Sequence, residues 1–563
     1  MRTALAAAML LAGVSPDDPT PATIAALPPS ESVGRGAAMP FVTLEAEDGR
    51  TTGTVIGPDR SFGSFAAEAS GRRAVRLDAE QALVFVLPAP ADAITLRYAL
   101  PDSPDGRGLD GRLALFADGA RIATLPLTSR YAWLYGRYPF TNRPADGAAH
   151  HFYDHVRLKL GRLLPAGTRV TLRREAGDAT PWTIIDLADF ERVPPPRPMP
   201  PGARSVLDFG ADPGGGRSSL AAFRKAIAGG GTVWIPPGTY RIDGHLDLDR
   251  VTLAGAGHWH SELAGDGVGI FGKDAHHVEL RDFAILGEVA ERVDSAQLQG
   301  VGGAFSNSTI ADLWIQHTKV GLWLDGPMDR LTVRGLRVYD QMADGVNFHR
   351  GVTRSVVEDS FFRNLGDDGL AMWSHERENA GNVFRRNTVI APVLANGIAI
   401  YGGRDISVDD NLVADIVTQG GGLHFGTRFD ATPFAGTIRL AGNMVARGGV
   451  MDPNWRFGVG ALWFFALDHP IAARIEIADT LLLDSGYEAV QFHGKAIRGV
   501  TIDGLTVRGA GTSAFQLQSP GEAIVRNSVA TGLRGAGVLD AGQGFRLVDG
   551  GGNRGWERRA PFP

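Results

Sequence analysis

Residues 344–348 read Asp-Gly-Val-Asn-Phe, residues 368–372 read Asp-Gly-Leu-Ala-Met, and residues 396–400 read Asn-Gly-Ile-Ala-Ile. Each segment places apolar residues at alternate positions after a polar residue and a glycine, which is the period of a β-strand. The pattern recurs along the second half of the chain, at Val320–Leu324, Gly421–Phe425, Leu462–Phe464, Val490–Phe492 and Phe515–Leu517. One type of strand therefore repeats at short intervals.

A second type of β-strand repeats between these segments. Its equivalent positions are separated by 24, 27, 24, 32, 37, 25 and 23 residues, and they are Leu336, Ser360, Asn387, Asn411, Asn443, Thr480, Leu505 and Ser528. A short, nearly constant spacing with occasional insertions is typical of a solenoid, and such coils leave no room for a crossover helix. We predict a right-handed parallel β-helix over residues 203–555.

The region before this repeat has a different pattern. Residues 40–193 alternate apolar and polar positions between turn-rich gaps, which is typical of an antiparallel β-sandwich. We predict an all-β chain in which this sandwich precedes the β-helix, with a stiff Pro-rich linker at residues 194–202. The segment Ala221–Ile227 predicts a short amphipathic helix that caps the open end of the solenoid.

The N-terminus and the composition limit where the protein acts and what it binds. A basic residue before a nine-residue apolar run at Ala4–Ala12 predicts a signal peptide over residues 1–20, a Pro-rich linker over 21–39, and a secreted or periplasmic protein. The chain has no cysteine, which excludes disulfides and thiol catalysis. Its net charge of -6, with scattered Lys and Arg, argues against nucleic acid or an anionic membrane as partner. We expect a monomer.

Three carboxylates meet at one place in the predicted solenoid. Asp344, Asp368 and Asn396 take the same position in successive coils, about 4.8 Å apart, and Asp367 has the parity of an outward-facing residue. Asp-Gly pairs also form ordinary turns, and ladders of Asn or Asp stabilise solenoid corners. Three carboxylates so close repel one another, however, and catalysis explains that cost better than a structural role does.

Hydrolysis of a glycosidic bond uses one carboxyl group as acid and one carboxylate as base. We predict that Asp344 and Asp368 orient a water and that Asp367 protonates the leaving oxygen. The acid-to-base separation should then be about 6.5 to 9.5 Å, which predicts inversion. Aromatic faces suit the apolar faces of sugar rings. The predicted substrate contacts are Trp323, Asn347, Trp373, His375, Asn396, Tyr401, Arg404, His424 and Trp463.

The segments Ala343–Phe348 and Arg363–Trp373, which carry the aspartates, resemble glycoside hydrolase family 87, the α-1,3-glucanases and mycodextranases. Upstream, Tyr131–Phe140 and His150–Arg157 are similar to the sandwich domain of that family. The resemblance implies a glycoside hydrolase that acts on a neutral α-glucan and needs no cofactor for catalysis. It leaves open whether the glucan is continuous α-1,3 or alternating α-1,3/α-1,4, and whether action is endo or exo.

The sandwich resembles carbohydrate-binding modules of families 6 and 35, through its Glu-Ala-Glu start and its closing Ile-Asp strand. That resemblance implies a structural calcium held by Glu45, Glu47 and Asp186, although ordinary edge charges give the same spacing. Whether this domain binds sugar independently is left open.

Two other classes of function fit a β-helix. A polysaccharide lyase would use calcium-bound acidic sugars and a Lys or Arg base, and the aspartate trio without a nearby lysine argues against it. A non-catalytic carbohydrate-binding β-helix protein needs no carboxylate cluster.

Overall fold

The computed structural model describes residues 32–137, 140–453 and 456–561. Within them the chain is all-β apart from short helices, with an antiparallel sandwich followed by a parallel β-helix, as predicted. The predicted signal peptide and residues 21–31 of the predicted linker lie outside the described residues. The helices whose bounds lie within the described residues are the α-helix Leu220–Ala228 and the 3-10 helices Ala46–Asp48, Ala66–Glu68, Ser70–Arg72, Pro144–Asp146 and Val206–Phe209. None of these helices is long and apolar enough to cross a membrane.

The sandwich has two sheets around a core of Leu, Val, Ile and Phe side chains. The inner sheet consists of Phe41–Glu45, Thr54–Ile56, Ala74–Leu77, Ala91–Ala99, Asp154–Leu164 and Thr183–Glu191. The outer sheet consists of Arg50–Thr51, Ala82–Val86, Asp110–Ala117, Ala120–Thr128 and Arg169–Arg173. A further pair, Trp133–Leu134 and His150–His151, extends from the sandwich.

The β-helix has three parallel sheets, which the chain visits in turn in each coil. The first solenoid sheet contains Arg204–Ser205, Gly231–Ile235, Val251–Gly255, Glu279–Arg281, Ser308–Ala311, Leu331–Arg334, Val356–Glu358, Val383–Arg385, Gly403–Asp409, Phe434–Ala441, Arg474–Ala478, Ile497–Asp503, Gly521–Arg526 and Phe545–Asp549. The second solenoid sheet contains Gly214–Ser218, Gly238–Arg241, Ser261–Ala264, Ala284–Leu286, Trp314–Gln316, Arg337–Gln341, Phe361–Leu365, Thr388–Pro392, Leu412–Ala414, Met444–Ala446, Leu481–Ser485, Thr506–Ala510 and Val529–Leu533. The third solenoid sheet contains His245–Asp247, Gly269–His276, Val301–Ser306, Leu322–Asp325, Val346–His349, Leu370–Trp373, Ile398–Tyr401, Leu423–Gly426, Leu462–Ala466, Val490–Gly494, Phe515–Gln518, Val538–Asp540 and Arg559–Pro561. Two short pairs lie outside these sheets, Met328–Asp329 with Val352–Thr353, and Met451–Asp452 with Phe457–Gly458.

Alternate residues of the three solenoid sheets point inward and form one continuous apolar core. The predicted cap lies at the N-terminal end of this core, where Phe223 and Ala226 of the α-helix are fully buried. The helix therefore covers the first coil and keeps its apolar interior from water.

A ladder of buried side chains holds one corner of the solenoid. The backbone N–H of Asn387 donates to Asn411 Oδ1 at 2.9 Å, and that of Asn411 donates to Asn443 Oδ1 at 3.0 Å. The side-chain amide of each asparagine also donates to a backbone carbonyl at the corner, as Asn411 Nδ2 does to Phe384 O at 3.0 Å. These positions are the equivalent ones found in the sequence repeat, so the ladder explains why polar residues recur there.

The inner sandwich sheet packs on the outward face of the second solenoid sheet. Arg363 Nη1 lies 2.7 Å from Asp189 Oδ2, and Arg337 Nη1 lies 2.6 Å from Glu191 Oε1, with all four side chains buried. An apolar and aromatic cluster that includes Trp314 surrounds these ion pairs. Because a buried charge that loses its partner is costly, the two domains are held in one arrangement.

We expect Asn411→Ala to lower the free energy of unfolding by about 2–4 kcal/mol, since it leaves the backbone N–H of Asn387 buried without a partner and removes the side-chain hydrogen bond to the carbonyl of Phe384. Urea denaturation followed by circular dichroism measures this change. Thr332→Ala, on an outward-facing, half-buried position of the first solenoid sheet, is the control and should change it by less than about 0.5 kcal/mol. Equal stability of the two variants would contradict the role of the ladder.

Candidate active site

The register of the third solenoid sheet places the three aspartates together. Val346 lies opposite Leu370, and Leu370 lies opposite Ile398, so Asp344, Asp368 and Asn396 follow one another at one position, as predicted. One oxygen from each of Asp344, Asp367 and Asp368 lies within 4.8 Å of the other two. The acid-to-base separation of about 6.5 to 9.5 Å, and with it inversion, stays a prediction.

The carboxyl group of Asp368 accepts three hydrogen bonds from neighbouring donors. Its Oδ1 accepts from the backbone N–H of Asn396 at 3.0 Å and from Asn396 Nδ2 at 2.7 Å, and its Oδ2 accepts from the Tyr401 hydroxyl at 3.0 Å. Burial, and then the charge of Asp367, raise the pKa of Asp368 to about 6. Asp368 can thus hold a proton in mildly acidic solution. When it loses this proton, the three hydrogen-bond donors stabilise the carboxylate that forms.

Asp367 has the opposite environment. Its Oδ2 lies 2.7 Å from Arg292 Nη1, and its Oδ1 accepts from the backbone N–H of Asp368 at 3.0 Å. The guanidinium of Arg292 and this N–H therefore hold the Asp367 carboxyl group in one position. The expectation that Asp367 is the proton donor stays a prediction.

Asp344 is almost fully buried beside the other two carboxyl groups. Burial, followed by the charges of Asp367 and Asp368, raises its pKa well above the usual value. The side chain of Asn347 hydrogen-bonds to Asp344, and Asn347 Oδ1 is buried without a protein partner. Asn347 therefore keeps an acceptor for a hydroxyl group close to the carboxyl cluster.

One outward row of the third solenoid sheet runs beside the carboxyl cluster. Its successive residues are Trp323, Asn347, Ala371, Ala399 and His424. Ala371 and Ala399 are fully buried, and Tyr401 packs with Ala399 and donates to Asp368.

A second outward row forms an aromatic wall. In it, His349, Trp373 and Tyr401 follow one another at one register position. The ring centroids of His349 and Trp373 are 4.7 Å apart, and His375 lies 4.7 Å from Trp373. Trp323, Trp373 and His375 are half-buried, so part of each ring faces solvent. Their contact with substrate stays a prediction.

Four predicted substrate contacts are placed elsewhere. Trp463 has no exposed surface and packs with Val459 and Phe465, so it is part of a core cluster. His424 is 1% exposed, and its ring centroid lies 4.2 Å from that of Trp463. Arg404 lies at the start of a strand of the first solenoid sheet, where its Nε lies 2.9 Å from Glu378 Oε1. Asn396 is fully buried and donates to Asp368.

Arg292 was not identified from the sequence. It lies in the loop between Leu286 and Val301, which is much longer than the equivalent loop before Val346, and this insertion is the signal that could have drawn attention to it. Lys319 fixes the same loop, because its Nζ donates to the carbonyls of Val293 at 3.2 Å and Asp294 at 2.9 Å. A lysine therefore does lie near the trio, contrary to expectation, but backbone carbonyls occupy its ammonium group.

The predicted calcium ligands fit a cation only in part. Asp186 Oδ1 accepts from the N–H of Ser70 at 2.9 Å, and Asp186 Oδ2 lies 2.5 Å from Arg97 Nη1, so protein donors occupy both oxygens. Glu45 Oε2 and Glu47 Oε2 are buried without hydrogen-bond partners. Burial, with nearby carboxylates, raises the pKa of Glu45 well above its usual value, and mainly burial raises that of Glu47 to about 8. Glu45 and Glu47 would be the ligands, and calcium binding stays a prediction.

Among the described residues, two groups of Asp and His side chains are compact enough for a metal ion. One is the aspartate trio, and the other is Asp154, His317 and Asp340 between the two domains. In the second group His317 Nε2 lies 2.7 Å from Asp154 Oδ1, and His155 Nδ1 lies 2.8 Å from Asp340 Oδ1. Protein donors thus satisfy these carboxylates, which fits a role in the interface.

Fold and site together define a carbohydrate-active β-helix enzyme with carboxyl catalysis. Family models match at residues 38–193, the α-1,3-glucanase catalytic domain D1, and at residues 217–511, the α-1,3-glucanase catalytic domain D2. The chain belongs to this α-1,3-glucanase family and is a glycoside hydrolase of family 87 (GH87) type.

Solved structures and one curated protein are also similar to the chain. The catalytic unit of a thermostable GH87 α-1,3-glucanase from Streptomyces thermodiastaticus is 43% identical, with a TM-score of 0.87 over 93% of this chain and 98% of that one. A GH87 α-1,3-glucanase catalytic domain in complex with nigerose shares the fold at 23% identity, with a TM-score of 0.82 over 92% of this chain and 100% of that one. Mannuronan C5-epimerase AlgE6 from Azotobacter vinelandii is 29% identical over 189 residues, and this match spans 30% of the chain and 20% of the epimerase.

We expect Arg292→Ala to lower kcat on α-1,3-glucan by about 10²-fold with little change in KM, because the Asp367 carboxyl group loses the ion pair that holds it in position. Arg292→Lys, which keeps a cation at this place, should restore part of the rate. Arg385→Ala, which removes an exposed arginine paired with Glu358, is the matched control. Wild-type kcat in Arg292→Ala would show that this contact is not used.

Proposed function

We propose that this protein hydrolyses α-1,3-glucosidic bonds of a neutral α-glucan by inversion, with Asp368 as general acid and Asp367 as general base. The observation that carries the assignment is the contrast between the two neighbours, since Asp367 contacts Arg292 and Asp368 is buried among neutral donors. Adjacent carboxyl groups in different environments are a common way to obtain an acid and a base at one pH.

The proton of Asp368 would pass to the glycosidic oxygen as the bond to the anomeric carbon breaks. Asn396 and the Tyr401 hydroxyl then stabilise the carboxylate that forms. Asp367 would take a proton from the water that attacks the anomeric carbon. Asp344, adjacent to both, would accept a hydrogen bond from that water or share a proton with its neighbours.

The hydrogen bonds and the protonation of the three carboxyl groups favour inversion, although these groups lie close together. A retaining enzyme needs an ionised carboxylate with a free oxygen to attack carbon. In the proposed roles Asp368 is protonated before the bond breaks. Arg292 and the backbone N–H of Asp368 hold the Asp367 carboxylate away from free movement onto carbon, while each of its oxygens keeps a lone pair that can take a proton from water. Asp344 has a raised pKa and is a poor nucleophile while it is protonated. A water held between the carboxylates is therefore the better nucleophile.

The aromatic wall and Asn347 support a polysaccharide substrate. Rings such as Trp373 can stack on the apolar face of a glucose unit, and the unpartnered Oδ1 of Asn347 can accept from a sugar hydroxyl. Nigerose, bound in the GH87 structure above, is consistent with glucose units in α-1,3 linkage. We also infer export to the periplasm or the medium, which the signal-like residues 1–20 support.

Product analysis tests the reaction. Incubation with α-1,3-glucan should release reducing ends without ultraviolet-absorbing unsaturated products, which a lyase would give. Proton NMR of freshly released sugar should show the β-anomer first. The α-anomer first would contradict inversion, and no reducing ends from either α-1,3-glucan or alternating α-1,3/α-1,4-glucan would contradict the proposed activity.

Asparagine variants separate the roles of the two neighbouring aspartates. Asp368→Asn should abolish hydrolysis of polymer but keep activity on an α-glucosyl fluoride, whose leaving group needs little protonation. Asp367→Asn should lose both activities, with azide as a possible rescuing nucleophile. In the wild type the neutral form of Asp368 is active, so kcat/KM should fall as pH rises through about 6. Survival of fluoride activity in Asp367→Asn alone would reverse the assignment.

A further inference from the structure

A loop beyond the aromatic wall presents an aromatic ring that neither the sequence patterns nor the family matches assign. The loop follows the strand Leu423–Gly426, and its tip carries Phe429, whose side chain is 53% exposed. Single exposed apolar residues are ordinary on protein surfaces. The backbone conformation at Phe429 is unusual, however, because Phe429 has a φ of 62° and Asp430 has a φ of 56°. Bulky residues rarely adopt such angles, because they strain the backbone.

Contacts from neighbouring coils hold the loop in this conformation. Trp373 Nε1 donates to Phe429 O at 3.0 Å, and the N–H of Glu376 donates to Asp430 O at 3.1 Å. The N–H of Thr432 donates to Ser374 O at 3.0 Å. The segment that contains Trp373 thus anchors the tip of the loop at several points, and the position of the Phe429 ring is set by the aromatic wall itself.

The ring of Phe429 continues the aromatic wall. Its centroid lies 5.7 Å from that of Tyr401 and 6.4 Å from that of Trp373, in edge-on geometry in both cases. The guanidinium of Arg428 lies over the ring at 4.3 Å. Tyr401 in turn donates to Asp368. An exposed ring with a fixed orientation therefore lies one side chain away from the proposed general acid.

We propose that Phe429 forms a sugar-binding subsite, in which its exposed surface packs on the apolar C–H face of a glucose unit next to the one being cleaved. A planar, immobile apolar surface suits a pyranose ring, because little conformational freedom is lost on binding. The strained backbone is then explained, since it turns the ring outward at the edge of the wall. The inference rests on the proposed glucanase function and extends it by a residue that positions the chain.

Kinetics on α-1,3-linked glucose oligosaccharides of increasing length test the subsite. Phe429→Ala should raise KM about fivefold to tenfold, with kcat within about twofold of wild type. The rise should disappear for substrates too short to reach the ring. Phe429→Tyr should behave as the wild type. Phe429→Leu keeps apolar bulk over the loop but lacks the planar ring, so it should match Phe429→Ala even if the alanine variant folds poorly.

Ile524→Ala is the matched control, because it truncates another exposed apolar side chain, 42% exposed, on the first solenoid sheet. Thermal melts should show all variants folded. Wild-type KM in both Phe429→Ala and Phe429→Leu would overturn the subsite while the glucanase function stands.

Titration calorimetry separates the subsite from the catalytic function. In an Asp368→Asn background, which is not expected to turn over oligosaccharide, Phe429→Leu should weaken binding about fivefold to tenfold. This result does not depend on hydrolysis. If the wild type releases no reducing ends but the ring still governs oligosaccharide affinity, the glucanase function fails and the subsite remains. Equal affinity with and without the ring overturns the subsite.

Discussion

The in-register stacking of coils in the third solenoid sheet is the constraint on which the active site depends. Each coil repeats the position of the one before, so an aspartate in two successive coils brings two carboxyl groups together without any long-range fitting. Within 4.8 Å, two full negative charges repel by roughly 3 kcal/mol at an effective dielectric constant near 20. The site relieves this repulsion with Arg292 beside Asp367 and with neutral donors around Asp368, and the proposed acid and base roles rest on that difference.

The sandwich domain contributes to the site although it supplies none of the three aspartates. Its Leu134 and Phe152 share a buried apolar cluster with Met342, next to the loop with Asp344, and with Val289, in the loop that carries Arg292. The ion pairs of Arg363 and Arg337 with the inner sandwich sheet fix the orientation of the two domains. The sandwich therefore buttresses the loop that delivers Arg292 to Asp367, whether or not it also binds sugar.

Insertions add the features of the groove that a regular solenoid lacks. The Asn ladder continues from Asn411 to Asn443 across a coil with an insertion, because the extra residues leave the stack as loops and the corner keeps its geometry. One such loop presents Phe429, and another brings Arg292 to the carboxyl cluster. The regular coils thus position the three aspartates. The inserted loops add a charged side chain, Arg292, and an exposed aromatic ring, Phe429.

The sequence by itself determined the solenoid, the spacing of its coils and the meeting of Asp344, Asp367 and Asp368, because strand period and coil spacing are local properties that stacking converts into neighbours. It did not reveal that Arg292, more than seventy residues away in sequence, contacts Asp367. It also placed Trp463 and His424 in the groove, because parity identifies an outward residue but not the loop that covers it. Only the tertiary structure decided burial and charge pairing, since both arise from segments that approach from other coils and from the sandwich.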